Sequence, residues 1–188
     1  MFERQQKILE AAVRVIARSG VRGLRVEKIA AEAGISTSLI YYHFINRAGL
    51  LRKTLEFVSD RAAGYTEEAA AGAGDSRAEL ELLLFGELQD TQAVRENSTA
   101  WGELRASAVF TPELREPLAE STRIWVAEVA DVIRGVHGAE VKAEDAAERL
   151  TSLVEGLSER WLSGSMGLDR ARDLLRGAIA LELDGLGA

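Results

Sequence analysis

A chain of 188 residues fits one or two domains with room for a substantial core, and 47% hydrophobic against 28% charged residues, with 2 prolines, is the balance of a helix-rich globular protein. The absence of cysteine excludes disulfides, thiol catalysis and thiolate metal sites, and it agrees with a reducing, cytoplasmic setting. The net charge of −7 is unevenly spread: residues 1–53 hold ten Lys or Arg against four acids, a net of +6, which leaves −13 on the remainder. A positive head on a negative body suits a protein that meets a phosphate backbone at one end, although a solvated basic surface has the same signature. The charged amino terminus has no signal-peptide core, and no stretch of about 18 apolar residues predicts a membrane span.

Helical periodicity runs through the chain and no segment alternates as a strand, so the expected class is all-α, with about nine helices. A first helix is expected over Arg4 to Arg18, with Ile8, Ala11, Ala12, Val15 and Ile16 on one face and Ser19-Gly20 as its stop. Val26–Ala33 and Thr37–His43 then have the spacing of two short helices around a tight turn, the layout of a DNA-reading helix-turn-helix. Ala30 is small where the helices cross, Gly34 supplies the positive φ that ends the first, and Ser36 caps the second. On the second helix Ile40 and Phe44 fall four apart on the inner side, while Thr37, Ser38, Tyr41 and Tyr42 share one broad outer side. Hydroxyls there can reach phosphates or base edges, and the rings can press on sugars or thymine methyls; half-buried tyrosines with wet hydroxyls are the alternative.

Asn46 caps a long fourth helix, Arg47 to about Ala71, carrying Leu50, Leu51, Leu55 and Val58, and Gly72-Ala73-Gly74-Asp75 is the clearest breaker. Ser76 and Glu79 form a capping-box pair for a helix towards Gln89, and another helix covers about Val94 to Val109. Thr111-Pro112 opens a long helix to about Val136, stopped near His137-Gly138. Two last helices span about Ala143 to Leu162 and Asp169 to Leu183. The division expected is a DNA-binding domain over 1–46 and a ligand-binding and dimerisation domain over 47–188.

Gly20, Ile29-Ala30, Ala33-Gly34-Ile35-Ser36, Tyr41-Tyr42-His43-Phe44 and Arg47 together resemble the amino-terminal domain of the TetR family of transcriptional regulators. Trp101, Thr111 to Leu114, Trp125 and Glu155-Gly156-Leu157 through Trp161-Leu162 are similar to the ligand domain of a subgroup that contains choline-responsive, BetI-type regulators. The resemblance implies an all-helical homodimer that binds a palindromic double-stranded DNA operator, usually as a repressor, and is released by a small-molecule inducer. By resemblance His43 contacts phosphate or braces the recognition helix. Arg47, at the start of the fourth helix, is expected to hold a phosphate together with that helix's N-terminus. Arg25 stands where many family members have a capping threonine, so that hydroxyl contact is absent here and its charge either compensates or faces solvent.

The larger domain holds all three tryptophans, Trp101, Trp125 and Trp161. With Phe85, Phe110 and Met166 they are candidates to line a cavity. Carboxylates such as Glu103, Glu155 and Glu159 then favour a cationic or planar aromatic inducer, core packing being the alternative. For the dimer face, Ala146, Leu150, Leu153, Leu157 and Trp161 trace one stripe, with Ser152 and Gly156 on an adjoining row. Leu174, Leu175, Ala178, Ile179 and Leu181 make the last helix apolar over a wide arc. An intramolecular core is the competing reading of the same residues. No metal-spaced His/Asp/Glu cluster and no phosphate-cradling glycine motif is present, so no catalytic residue, metal or cofactor is expected. A helical ligand-binding or adaptor protein without DNA binding is the second class to separate.

Overall fold

In the computed structural model, which describes residues 2–137 and 142–186, the described residues form nine α-helices and no strand. They are α1 (Phe2–Ser19), α2 (Val26–Ala33), α3 (Thr37–Phe44), α4 (Arg47–Ala70), α5 (Ser76–Gly86), α6 (Gln92–Ala108), α7 (Arg115–His137), α8 (Ala143–Leu162) and α9 (Leu168–Leu186), with short 3-10 turns at Val21–Gly23 and Pro112–Leu114. Two start signals act differently from the sequence expectation. Asp75, not Ser76, caps α5, its Oδ1 accepting from the Ala78 N–H at 2.8 Å. Thr111-Pro112 opens a 3-10 turn, and α7 begins only at Arg115. The stop expected at Gly138 lies outside the described residues. Among those described, no helix is long and apolar enough to cross a membrane.

The chain falls into two compact units, residues 1–61 with 96–121 and residues 62–95 with 122–188. The first unit therefore contains more than the expected 1–46 domain: it adds the first half of α4, most of α6 and the start of α7. Its core joins Ile8, Val15 and Ile16 of α1 to Ile29 of α2, Ile40 and Phe44 of α3, Leu50, Leu51 and Leu55 of α4, and Ala100 and Leu104 of α6. Each such fully buried aliphatic side chain contributes about 1.5–3 kcal/mol relative to exposure. In the polar interior of this unit Thr54 Oγ1 donates to the Leu50 carbonyl at 2.8 Å and the Asn97 amide donates to the Val58 carbonyl at 3.0 Å, while Asn97 Oδ1 and Ser98 Oγ are buried without a hydrogen-bond partner.

The second unit is built on α5, α7, α8 and α9. Leu80, Leu84 and Leu88 meet Val129 and Ile133, and α8 and α9 pack lengthwise. Gly86 allows α5 to touch α4, because a Cβ there lies 2.8 Å from Thr66 Cγ2. Most of the residues expected at a dimer face turn inward here: Leu150, Leu157, Trp161, Leu175 and Ile179 are buried in this core, and Leu153, Leu174 and Ala178 are half-buried against it. The stripe that the periodicity marks is the seam of α8 and α9 with the rest of the unit. The surface left open on these helices carries Ser152 and Gly156 of α8 and Gly177 and Leu181 of α9, the last 77% exposed.

Candidate nucleic-acid interface

The helix-turn-helix is closed by local chemistry. Arg25 precedes α2 without a side-chain cap, in line with the missing threonine, while Glu27 supplies an acid in the first turn. Gly34 ends α2 at φ 66°, ψ 40°; its N–H donates to Ala31 and that of Ile35 to Ala30 at 3.0 Å, a Schellman closure that needs the left-handed conformation. Ser36 Oγ accepts from the Leu39 N–H at 3.4 Å and opens α3.

With α3 set on the core by Ile40 and Phe44, its other side faces out. Ser38 is exposed, Thr37 half-buried, and Tyr41 and Tyr42 are 51% and 72% exposed, which removes the core-tyrosine alternative. His43 is half-buried, edge-on to the Tyr42 ring at 5.3 Å and 6.1 Å from the Phe44 ring. Arg47 is differently employed from expectation: its guanidinium donates to the Val21 carbonyl at 2.7 Å. The side chain has further N–H groups for a phosphate, but one is committed to holding the turn between α1 and α2. Arg25, Arg22 and Lys28 are exposed cations in the same unit.

Three features of this head were not visible from the sequence. Glu103, expected near a ligand, instead accepts from the Val21 N–H at 2.9 Å, so both polar groups of the Val21 backbone are held by side chains from distant helices. Gly20 makes room for that carboxylate: at φ 66°, ψ 170°, a Cβ there lies 2.7 Å from Glu103 Oε2. Glu32 of α2 pairs with Arg14, at 2.8 Å, and with Arg18 of α1, and these hydrogen bonds hold its carboxyl below its usual range. The third is Ile45, which links α3 to α4 at φ 61°, ψ −53° with its side chain 84% exposed. For a β-branched residue this conformation stores strain of order 1–3 kcal/mol. A β-branched residue in a two-residue connection between helices was the only signal available.

The expected ligand residues are divided between the two compact units. Trp101 and Phe110 belong to the first unit, and Phe85, Trp125, Glu155 and Glu159 to the second. Phe110 is 79% exposed, lying in the turn beyond the end of α6, and Glu159 is also exposed. Three ring faces already carry the protein's own cations: Arg105 lies over Trp101, Arg176 over Phe85 and Arg95 over Trp161, at 5.4, 5.4 and 4.6 Å. An open groove of about 550 Å³ lies along α8, lined by Asp145, Glu148, Arg149, Ser152 and Leu153, none of them an expected ligand residue.

The profile of bacterial regulatory proteins of the tetR family matches residues 8–54, and that of the BetI-type transcriptional repressor C-terminal domain matches residues 76–184. A TetR-family transcriptional regulator from Rhodococcus sp. is similar in structure with a TM-score of 0.90 and 44% identity, over 97% of this chain and 100% of that one. A transcriptional regulator from Saccharomonospora viridis, solved in complex with choline, superposes with a TM-score of 0.83 at 27% identity, over 96% and 97% of the two chains. The HTH-type transcriptional regulator BetI of Burkholderia mallei (strain NCTC 10229) is 28% identical over 165 residues, 87% of this chain and 82% of that protein. These relatives are regulators and not enzymes. With its helix-turn-helix in a basic amino-terminal region, outward tyrosines and helical body, the chain belongs to the TetR family of DNA-binding transcriptional regulators and carries a BetI-type C-terminal domain.

Proposed function

We propose that the protein is a cytoplasmic repressor that binds a palindromic operator as a homodimer and releases it when a small cationic molecule enters the C-terminal domain. The observation that carries the DNA half of this reading is the outward presentation of Ser38, Tyr41 and Tyr42 on a helix whose opposite side is locked into the core. Thr37, Ser38, Tyr41 and Tyr42 make the groove contacts, with Arg25 and the start of α4 next to the phosphates. The two-fold pairing uses the open surface of α8 and α9: Ser152 and Gly156 permit close approach, and Leu181, Gly177 and the half-buried Leu153, Leu174 and Ala178 supply the apolar part.

Choline is the first inducer to test. The choline-bound relative and the BetI-type match support it, as does a surplus of negative charge in the second unit: burial, with repulsion from Glu67, pushes the Glu128 carboxyl above its usual range. A cation close to that pair offsets the repulsion and favours the ionised carboxyl. An inducer that uses the Trp101, Phe85 or Trp161 ring must first displace an arginine from it. Titration of choline into the protein bound to DNA from upstream of its own gene tests this reading. Release of the DNA with quenching of tryptophan fluorescence is the expected result, and tight DNA binding indifferent to choline rejects this inducer.

A further inference from the structure

The link between α3 and α4 is two residues long, and its backbone has little choice. Phe44 and Leu50 are buried on either side of it, and Asn46 must cap α4, its Oδ1 accepting from the Gly49 N–H at 2.8 Å. The chain meets these demands with a γ-turn: the Asn46 N–H donates back to the Phe44 carbonyl at 2.5 Å around Ile45 at φ 61°, ψ −53°. Glycine adopts this conformation without a steric penalty, and a β-branched residue is among the least suited to it. Nothing within the protomer offsets the choice, because the Ile45 side chain is 84% exposed and only its backbone, donating to the Tyr41 carbonyl at 3.0 Å, is held.

Ile45 also lies at the C-terminal end of α3, next to its exposed residues. Ser38, Tyr41 and Tyr42 follow at i, i+3 and i+4 on the helix, and Ile45 stands one residue beyond its end, all four exposed. We propose that Ile45 is a DNA-contacting residue, an apolar tip at the end of the recognition surface that the γ-turn holds outward against the sugars or thymine methyls of the duplex. This inference rests on the DNA-binding reading above. A thymine methyl makes the contact sequence-dependent, and a sugar makes it uniform along the duplex.

The test uses the full-length protein, a palindrome selected by the wild type from random DNA, an unrelated duplex, and the palindrome with uracil in place of thymine. Ile45→Ala removes the apolar tip and keeps the strained turn, whereas Ile45→Gly removes both. Both are expected to weaken binding to the palindrome about tenfold, the loss that follows from withdrawing two or three buried carbons. Ile45→Gly is further expected to raise the melting temperature by about 2–4 °C through relief of the turn. If the uracil duplex weakens the wild type to the level of Ile45→Ala, the contact is a thymine methyl. If Ile45→Ala loses equally on the unrelated duplex and uracil has no effect, it is a sugar. Affinities of both variants within twofold of the wild type on every duplex overturn the inference, and place Ile45 at a contact with another protein or at none. A wild type that enriches no DNA fails the DNA-binding reading itself, a result distinct from tight wild-type binding that the variants leave untouched.

Discussion

Tyr42 and Arg47 stand five positions apart and do different work. Tyr42 is 72% exposed, with its ring T-shaped against His43. Tyr42→Ala is expected to lower operator affinity by tenfold or more while the melting temperature and the dimer stay as they are, as read by fluorescence anisotropy and size-exclusion chromatography. Arg47→Ala removes the charged one of two donors to the Val21 carbonyl, which keeps the Leu24 N–H at 3.3 Å, at a cost of about 1–2 kcal/mol. That variant is expected to lose thermal stability as well as affinity, with Arg47→Lys between it and the wild type. Glu32 has a pH signature of its own. Its folded-state pKa is depressed by Arg18 and Arg14, so the stabilisation is present above the ordinary carboxylate pKa and is lost as pH falls through the depressed value. The stability gap between wild type and Glu32→Gln is therefore expected at neutral pH and should close on acidification below about pH 4, followed by urea melts across pH.

At the scale of elements, the helix-turn-helix was legible because every signal in it is local. The Gly34 closure, the Ser36 cap and the Ile40/Phe44 inner pair act over at most five residues, and all stand where the spacing puts them. The tie from Glu103 spans 82 residues, and no periodicity announces it. The same limit explains the α8 and α9 stripe: spacing identifies an apolar face but not what covers it, and Leu150, Leu157 and Trp161 are covered from within the unit. Two glycine variants separate conformation from contact. Gly34→Ala meets open space and suffers only the left-handed φ, about 1–2 kcal/mol. Gly20→Ala is expected to cost clearly more, because φ 66°, ψ 170° is a region essentially closed to residues with a Cβ and the new methyl also meets the Glu103 carboxylate; Glu103→Ala should recover only the contact part in a double-mutant cycle by thermal melts.

For the whole molecule, the charge division read from the sequence sets the expected behaviour on DNA. Of the cations in the basic head, Arg14 and Arg18 are engaged by Glu32 and Lys53 by Glu56, which leaves exposed residues such as Arg25 and Lys28 for phosphates. Operator affinity should therefore fall steeply with salt, and Lys28→Gln should flatten the slope by about one unit per protomer, about two for the dimer. Leu181→Arg places a charge on the open face of α9 and is expected to give monomers by light scattering, with operator binding weakened in step because two heads no longer act together. The central claim is that a paired molecule reads DNA through the outer side of α3, and selection of bound duplexes from a random pool tests it most directly. The account predicts enrichment of a palindrome whose half-sites are separated by about 34 to 36 Å, one helical turn, or a multiple of it, and loss of that enrichment with Tyr42→Ala. Recovery of no palindrome, or the same palindrome enriched equally by Tyr42→Ala, contradicts it.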